Sequence, residues 1–465
     1  MLKYILLIFL FSQNLFPQKS YETKLEEGIE SSYNLAFQNS AVVYSALIDD
    51  FPNYPDAYHY LSRDHLYRFL GSGEDEDYNS FLNYSDAAVK KSEELLDENS
   101  NNINARFILG SAQFLRTIAH SYKGENLDAF WSAKNAKGNL EKVVDENPDF
   151  YDAYLGIGAL KYALSEISGF ATLALKLARL SGDKDEGLKL VKKSFEKGER
   201  LKPEAAFQLS KIYNDYLAYY GKAAEVLKPF VKKYPGNVLF LYQYAIAKMN
   251  DRKLDEAEEI LKRILEIDNS GFRQTNSYSY FLLGDIFFKK NEFEKAVLNY
   301  KQFLRSTNEL AYTGIANLRI AISQLFLEED LEARRSLLLA QNGNPEIKED
   351  NFAKERSRQI LSDGLSEGEK TLIFNKHNNE AGKYKETAAN LSDEKFSKNN
   401  LEIERKSVST EALFHLGEYQ KALEISEEII QNKNEESRAF VLAKYISAQI
   451  YFRQGEIKKA LELLE

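Results

Sequence analysis

The sequence has 465 residues, of which 44% are hydrophobic and 13% aromatic, so it can bury a large core. Its formal net charge of −10 argues against a nucleic-acid partner, which usually needs a basic face, and against general adhesion to anionic lipid. The sequence contains no cysteine, which excludes disulfides, thiolate metal sites, a cysteine nucleophile and a lipid anchor on an N-terminal cysteine.

Residues 1–18 have the pattern of a secretory signal peptide. One charged residue, Lys3, precedes the apolar run from Tyr4 to Phe11, and a polar stretch begins at Ser12. The apolar run is too short to cross a bilayer. We therefore predict a signal peptide at 1–18 and export to the periplasm or cell envelope. An uncleaved hydrophobic leader and a buried first helix are the alternatives.

From residue 20 onward, helical patterns recur in pairs, and a small residue marks the second helix of each pair. A large apolar residue usually follows the mark four or seven positions later, as Leu227 and Phe230 follow Ala223. The marks are Ser40, Ala88, Ala136, Gly187, Ala223, Ala257, Ala296, Ala333, Thr387, Ala422 and Ala460. The pattern predicts one array of helix pairs over 20–345, with the two helices of each pair crossing closely at the mark.

An apolar insert at 165–183 interrupts this spacing between Gly158 and Gly187. Its apolar residues share one helical face: Phe170, Leu173, Ala174, Leu177, Ala178 and Leu180. A helix with such a face must bury it, so we expect the insert to pack as extra core. The alternative is a surface offered to a partner or membrane, which predicts liposome binding that is lost in the variant with Leu173→Asp and Leu177→Asp.

The stretch 280–303 shows the repeating unit most clearly. Large residues surround a small one in its first helical pattern: Tyr280, Leu283, Gly284 and Phe287. After a polar turn, one face of the second pattern carries Phe293, Ala296, Tyr300 and Phe303. This unit resembles the tetratricopeptide repeat family, whose helix–turn–helix units of about 34 residues place small residues where the helices cross. The resemblance implies an all-α, right-handed α-solenoid of antiparallel helix pairs.

The C-terminal part divides into two segments. Residues 346–400 are charged and poor in large apolar residues, so we predict a degenerate helical segment or joint there. Residues 401–465 regain the pattern and predict a C-terminal pair of repeats.

The sequence shows no recognisable catalytic or metal-binding arrangement. Its five histidines are not in a ligand spacing such as H-E-x-x-H: His59, His65, His120, His377 and His415. The stretch 364–371 resembles a phosphate-binding loop, but Glu369 separates Gly368 from Lys370. We predict no catalytic residues, no cofactor and no metal. An enzyme alternative would need a polar cluster with shifted pKa values, for instance around Arg63, Asp64 and His65.

In the tetratricopeptide family, the first helix of each unit lines a concave groove that binds an extended peptide or a helix. Carried over by position, the resemblance implies partner-binding residues Phe107, Phe114, Tyr242, Phe281, Asp285, Phe288, Tyr445 and Phe452. We therefore predict a non-enzymatic scaffold or adaptor of the cell envelope that binds another protein and no nucleic acid. An envelope protein that associates with lipid through the insert at 165–183 is the alternative, with membrane contact not favoured.

Overall fold

A computed structural model describes residues 20–167, 180–267, 270–431 and 437–464. Within these ranges the chain is predominantly helical and contains no β-strand, so the predicted all-α fold is confirmed. The predicted signal peptide at 1–18 and residues 168–179 of the predicted insert lie outside the described residues.

The chain folds as two compact units: unit 1 comprises 1–251 and 263–275, and unit 2 comprises 252–262 and 276–465. The helices wholly within unit 1 are α1 (20–33), α2 (Phe37–Asp50), α3 (Pro55–Ser72), α4 (Asp75–Glu98), α5 (Ile103–Lys123), α6 (Asn126–Glu146), α7 (Ala153–Ser165), α8 (Lys184–Lys197), α9 (Lys202–Lys211), α10 (Tyr220–Lys233) and α11 (Val238–Asn250). A π-helical turn, Ile212–Tyr216, continues α9.

Two helices have residues in both units, α12 (Leu254–Glu266) and α13 (Arg273–Lys289). The helices wholly within unit 2 are α14 (Phe293–Ser306), α15 (Thr313–Phe326), α16 (Asp330–Leu339), α17 (Lys348–Asp363), α18 (Glu367–Glu380), α19 (Tyr384–Leu391), α20 (Asn399–Leu416), α21 (Tyr419–Gln431), α22 (Arg438–Arg453) and α23 (Ile457–Leu464). Among the described residues, every helix is too short or too polar to cross a bilayer.

Consecutive helices pack against each other as pairs joined by short turns. This holds for α3 with α4, α5 with α6, α15 with α16, α20 with α21 and α22 with α23. The first helices of successive pairs also touch, as α3 touches α5, α5 touches α7, α18 touches α20 and α20 touches α22. The predicted stack of helix pairs is therefore present, while its handedness stays a prediction.

The small residues that mark the second helices all lie at buried positions. Ala223, Ala257 and Ala296 have no exposed surface. Gly284 shows the reason on the facing helix, because a Cβ atom there would lie 2.6 Å from Cδ1 of Tyr300. This distance is shorter than a van der Waals contact, so the close crossing of α13 and α14 requires glycine.

The turn between the two helices of a pair usually contains a residue with positive φ. Glycine fills this position in several pairs, with φ of 77° at Gly73 and 80° at Gly417. In other pairs a larger residue adopts the same conformation: Leu35, Ala218, Arg252, Asn291 and Glu328. The turn conformation therefore recurs more regularly than the glycines in the sequence.

Helix α17 stands between the pairs α15–α16 and α18–α19, within the segment 346–400. It packs against α15 and α16 and buries Ala353, Ser357 and Ile360. The segment is thus helical, and the joint predicted within 346–400 stays a prediction.

Helix α1 packs against helices that are distant in the sequence. Its stripe of Tyr21, Leu25, Ile29 and Tyr33 belongs to the same core as α10 and α11 of unit 1. The side-chain amide of Asn237 donates a hydrogen bond to the backbone oxygen of Tyr33 over 2.8 Å. The first helix of unit 1 is therefore part of its core.

Candidate partner-binding surface

The structure places the eight residues of the predicted groove at very different depths. Phe107, Phe281, Asp285 and Phe288 are buried. Phe114 and Tyr242 are partly buried, and Tyr445 and Phe452 are exposed. Which of them bind a partner stays a prediction, but only the last two have large surfaces open to solvent.

On α13, Phe281 and Asp285 lie beneath side chains from α14 and α15. The Tyr300 hydroxyl donates a hydrogen bond to Oδ1 of Asp285 over 2.6 Å, and the Arg319 guanidinium pairs with the same oxygen. The guanidinium carbon of Arg319 lies 5.6 Å from the ring centroid of Phe281. Burial raises the pKa of Tyr300 well above its usual value, so its hydroxyl stays a donor. These contacts hold α13, α14 and α15 together within unit 2.

Phe288, one turn further along α13, packs against a histidine from α18. The ring centroids of Phe288 and His377 lie 4.4 Å apart. Nδ1 of His377 lies 2.8 Å from Oδ1 of Asn291, the αL residue of the α13–α14 turn. Burial lowers the pKa of His377 to about 3, so the imidazole is neutral and can donate this hydrogen bond.

Of the predicted residues in unit 1, Phe107 is a core residue that packs on Phe150 with ring centroids 4.7 Å apart. Phe114 is partly buried between the cores near α4 and α6. Packing within unit 1 therefore accounts for both aromatic side chains.

The exposed part of the predicted set lies on α22, where three apolar residues share one face. Val441 is 58% exposed, Tyr445 is 52% exposed and Phe452 is 66% exposed. Their spacing of four and seven residues places them along one side of the helix. Single exposed apolar residues are ordinary, but aligned large ones indicate a contact surface.

The helix that carries this face also packs against a neighbouring pair of helices. In unit 2, α18 packs against α20, and α20 packs against α22. Each of these contacts joins the first helices of neighbouring pairs. As a first helix, α22 uses part of its surface for such a contact with α20.

A separate polar cluster lies inside unit 1 around Arg63 and Asp64 of α3, both 2% exposed. Nη1 of Arg63 donates to Oε1 of Glu204 on α9 over 2.8 Å, and the Tyr33 hydroxyl of α1 donates to the same carboxylate. Oδ2 of Asp64 accepts a hydrogen bond from Ser32 of α1 over 2.8 Å.

Asp64 and Glu204 share a single guanidinium in this buried cluster. Burial outweighs the favourable charge of Arg63 and raises the pKa of Asp64 to about 6. Burial also raises the pKa of Glu204 to about 8. The enzyme alternative requires ionisable groups with shifted pKa values in this cluster, and Asp64 and Glu204 are two such groups. However, His65 lies apart, with Nδ1 3.1 Å from Oδ1 of Asp77 and its ring stacked on Tyr84. The buried cluster joins three helices of unit 1 and offers little surface to a substrate.

Comparison with known proteins gives a family match over part of the chain. Residues 125–311 match the family model described as Iml2/Tetratricopeptide repeat protein 39. This range is less than half of the chain and includes α6 to α14. No curated protein matches the sequence.

Several solved structures are similar over most of the chain at low identity. The human IFIT1 dimer with PPP-AAAA is 15% identical, covering 86% of this chain and 85% of that chain, with a TM-score of 0.35. The apo form of the quorum sensor NprR from B. thuringiensis is 13% identical, covering 90% and 99%, with a TM-score of 0.35. Yeast Tom70 is 14% identical, covering 96% and 91%, with a TM-score of 0.27. With TM-scores this low, these similarities carry no argument about function.

The assignment of the fold therefore rests on how the helices of this chain pack against each other. Paired helices that cross at buried small residues and a family match at 125–311 agree with each other. Together they support a repeat protein of the tetratricopeptide type.

Proposed function

We propose that the chain is a non-enzymatic scaffold of the cell envelope that binds a protein partner through the exposed face of α22. The observation that carries this proposal is the aligned exposure of Val441, Tyr445 and Phe452 on a first helix. Exposed aromatic side chains supply much of the binding energy at many protein interfaces. The envelope location rests on the N-terminal sequence pattern alone.

A helix with an apolar stripe is the partner segment that suits this face best. Helices that dock in grooves present apolar residues at positions i, i+3 or i+4, and i+7. Such a stripe would cover Tyr445 and Phe452 by packing against α22, as α20 does within unit 2. The buried residues Phe281 and Phe288 would then act on binding only through the stability of unit 2.

Co-purification of the partner from an envelope fraction, with two matched double variants, tests the proposal. Tyr445→Ala with Phe452→Ala removes both exposed rings, and we expect at least about a tenfold loss of affinity, since truncating a central interface aromatic typically costs more than about 1 kcal/mol. The control, Leu298→Ala with Leu331→Ala, truncates equally exposed residues on α14 and α16 and should bind as the wild type does.

Both double variants alter exposed side chains, so circular dichroism should show unchanged helix content and thermal unfolding. The proposal is wrong if the α22 variant recovers the same partner with unchanged affinity. It is also wrong if the control variant loses the partner to the same extent.

A further inference from the structure

A turn in unit 1 brings together an imidazole, two carboxylates and a phenol from three helices. His120 lies in the last turn of α5, Glu125 and Asp128 begin α6, and Tyr78 comes from α4. Nδ1 of His120 lies 2.6 Å from Oε2 of Glu125. The Tyr78 hydroxyl donates to the same oxygen over 2.6 Å and lies 3.3 Å from Nδ1 of His120.

Asp128 completes the group from the first turn of α6. One ligand atom each from His120, Glu125 and Asp128 lie within 4.8 Å of one another. Asp128 is exposed, whereas the other two are partly buried. The group therefore has an inner side made by the protein and an outer side that water can reach.

The backbone of the α5–α6 turn holds these residues in place. Gly124 adopts a φ of 76°, which lets the chain reverse direction immediately after α5. The amide of Glu125 then donates to the backbone oxygen of His120 over 2.8 Å. His120 and Glu125 thus face each other because of a backbone hydrogen bond and not only through their side chains.

A lysine close to this group makes its direct ion pair with a different carboxylate. Lys123 is the lysine of the same turn, but its ammonium pairs with Asp75 over 2.9 Å and lies 5.2 Å from the ring centroid of Tyr78. Among the described residues, Glu125 and Asp128 form no ion pair with a lysine or arginine. In the described part of the chain, the two carboxylates beside this imidazole thus have no direct ion pair with a lysine or arginine.

We propose that His120, Glu125 and Asp128 bind a divalent transition-metal ion of the Zn²⁺ class, with the Tyr78 hydroxyl beside it. Imidazole nitrogen with carboxylate oxygens is a common ligand set for such ions, whereas Mg²⁺ and Ca²⁺ prefer oxygen ligands alone. Nδ1 and Oε2 lie only 2.6 Å apart, so these two atoms would have to separate slightly for both to bind the ion at about 2.0–2.2 Å. The exposed side leaves room for water as a further ligand.

Metal binding at this site would fasten the end of α5 to the start of α6. Nδ1 of His120 must present a lone pair to the ion, so binding displaces any hydrogen on that nitrogen. This proposal is independent of the partner surface on α22.

Trp131 provides a direct readout because it is the only tryptophan of the chain and stands three residues after Asp128 on α6. Its side chain is half-exposed, with its ring 5.3 Å from that of Phe130. We expect Zn²⁺ added to the metal-free full chain to change Trp131 fluorescence with saturation at one ion per chain. Co²⁺ should quench it with the same stoichiometry, and Mg²⁺ at the same concentrations should have no effect.

Matched variants assign the response to the site. His120→Ala should lower Zn²⁺ affinity at least about tenfold, since even the loss of a residue that only supports a ligand typically costs about 10–100-fold. His65→Ala is the control, since it removes the other histidine of unit 1 that pairs with a carboxylate, Asp77. Asp128→Asn changes an exposed side chain, so it decides the matter if His120→Ala does not fold.

The proposal is overturned if neither Zn²⁺ nor Co²⁺ gives a saturable response in the wild type. It is equally overturned if His120→Ala, or Asp128→Asn in its place, binds Zn²⁺ with the affinity of the wild type and of His65→Ala.

Discussion

At the scale of single residues, the sequence predicts where a helix crossing needs a small side chain. It does not predict how deeply each aromatic side chain is buried. The pattern around 280–303 predicts a small residue at Gly284, and the structure places the Tyr300 ring against it. By contrast, the positions of Phe281 and Phe288 on α13 predict a groove, but Arg319 and His377 from later helices lie against them. A local pattern shows which side of a helix is apolar, but it does not show which distant helix covers that side.

Two glycine substitutions should have opposite effects on stability. A Cβ atom at Gly284 would clash with Tyr300, so Gly284→Ala should lower the free energy of unfolding by about 1–3 kcal/mol. Gly138 is an exposed interior residue of α6 with no atom near its Cβ position, so Gly138→Ala should raise that free energy by about 0.5–1 kcal/mol. Urea unfolding followed by circular dichroism measures both. Effects of the same sign would contradict the close crossing.

His377 should make the stability of unit 2 depend on pH. Burial lowers its folded-state pKa to about 3, whereas the usual value is about 6.5. Between these values the unfolded chain binds a proton that the folded chain does not, so stability rises with pH through this window and is lost on acidification. From pH 7.5 to pH 5 the loss should be about 2 kcal/mol.

Urea unfolding of His377→Asn at pH 5 and pH 7.5 checks this expectation. The variant cannot take up the proton, so the difference in unfolding free energy between the two pH values should shrink by about that amount of 2 kcal/mol. An unchanged difference would show that another group causes the pH dependence.

At the scale of helices and turns, the sequence indicated the pairs well but only some of their turns. Gly382, Gly417 and Gly455 mark turns with positive φ, and a glycine in such a position is readable from sequence. Arg252 and Glu328 adopt the same conformation, with φ of 60° and 61°. No residue preference predicts this, because the packing of the two flanking helices imposes the turn on whatever residue stands there.

Exchanging residues at two of these turns should change stability in opposite directions. Glu328→Gly removes the strain of a side chain with positive φ and should raise the free energy of unfolding by about 0.5–1 kcal/mol. Gly417→Ala introduces the same strain, with no atom near the new Cβ, and should lower it by about 1 kcal/mol. Thermal unfolding of both variants measures the effect. A stabilising Gly417→Ala would refute the conformational explanation.

At the scale of the whole molecule, regular spacing predicted the repeats but not the compact units. The small marks from Ser40 to Ala460 all fall on second helices at buried positions. The division into units falls at 251–276, just before the stretch 280–303 where the repeat pattern is clearest. The helix pairs on both sides of this division carry the same local pattern, so their spacing does not indicate where one compact unit ends and the next begins.

The packing of α1 in unit 1 is likewise not predictable from a local sequence pattern. Its stripe from Tyr21 to Tyr33 predicts a buried helix face, but its contacts with α10 and α11 depend on how the chain returns to it. For the same reason, the sequence pattern does not indicate the proposed metal site, because Tyr78 joins His120 and Glu125 only in the folded unit.

Photocrosslinking in living cells shows whether the exposed face of α22 in this helical scaffold binds a protein. A benzophenone amino acid is placed at Phe452 or, as a control, at Leu298, which is similarly exposed on α14. If the face of α22 binds a partner, we expect an adduct with one discrete protein from position 452 and none from position 298. No protein adduct from position 452, or the same adducts from both positions, would contradict it.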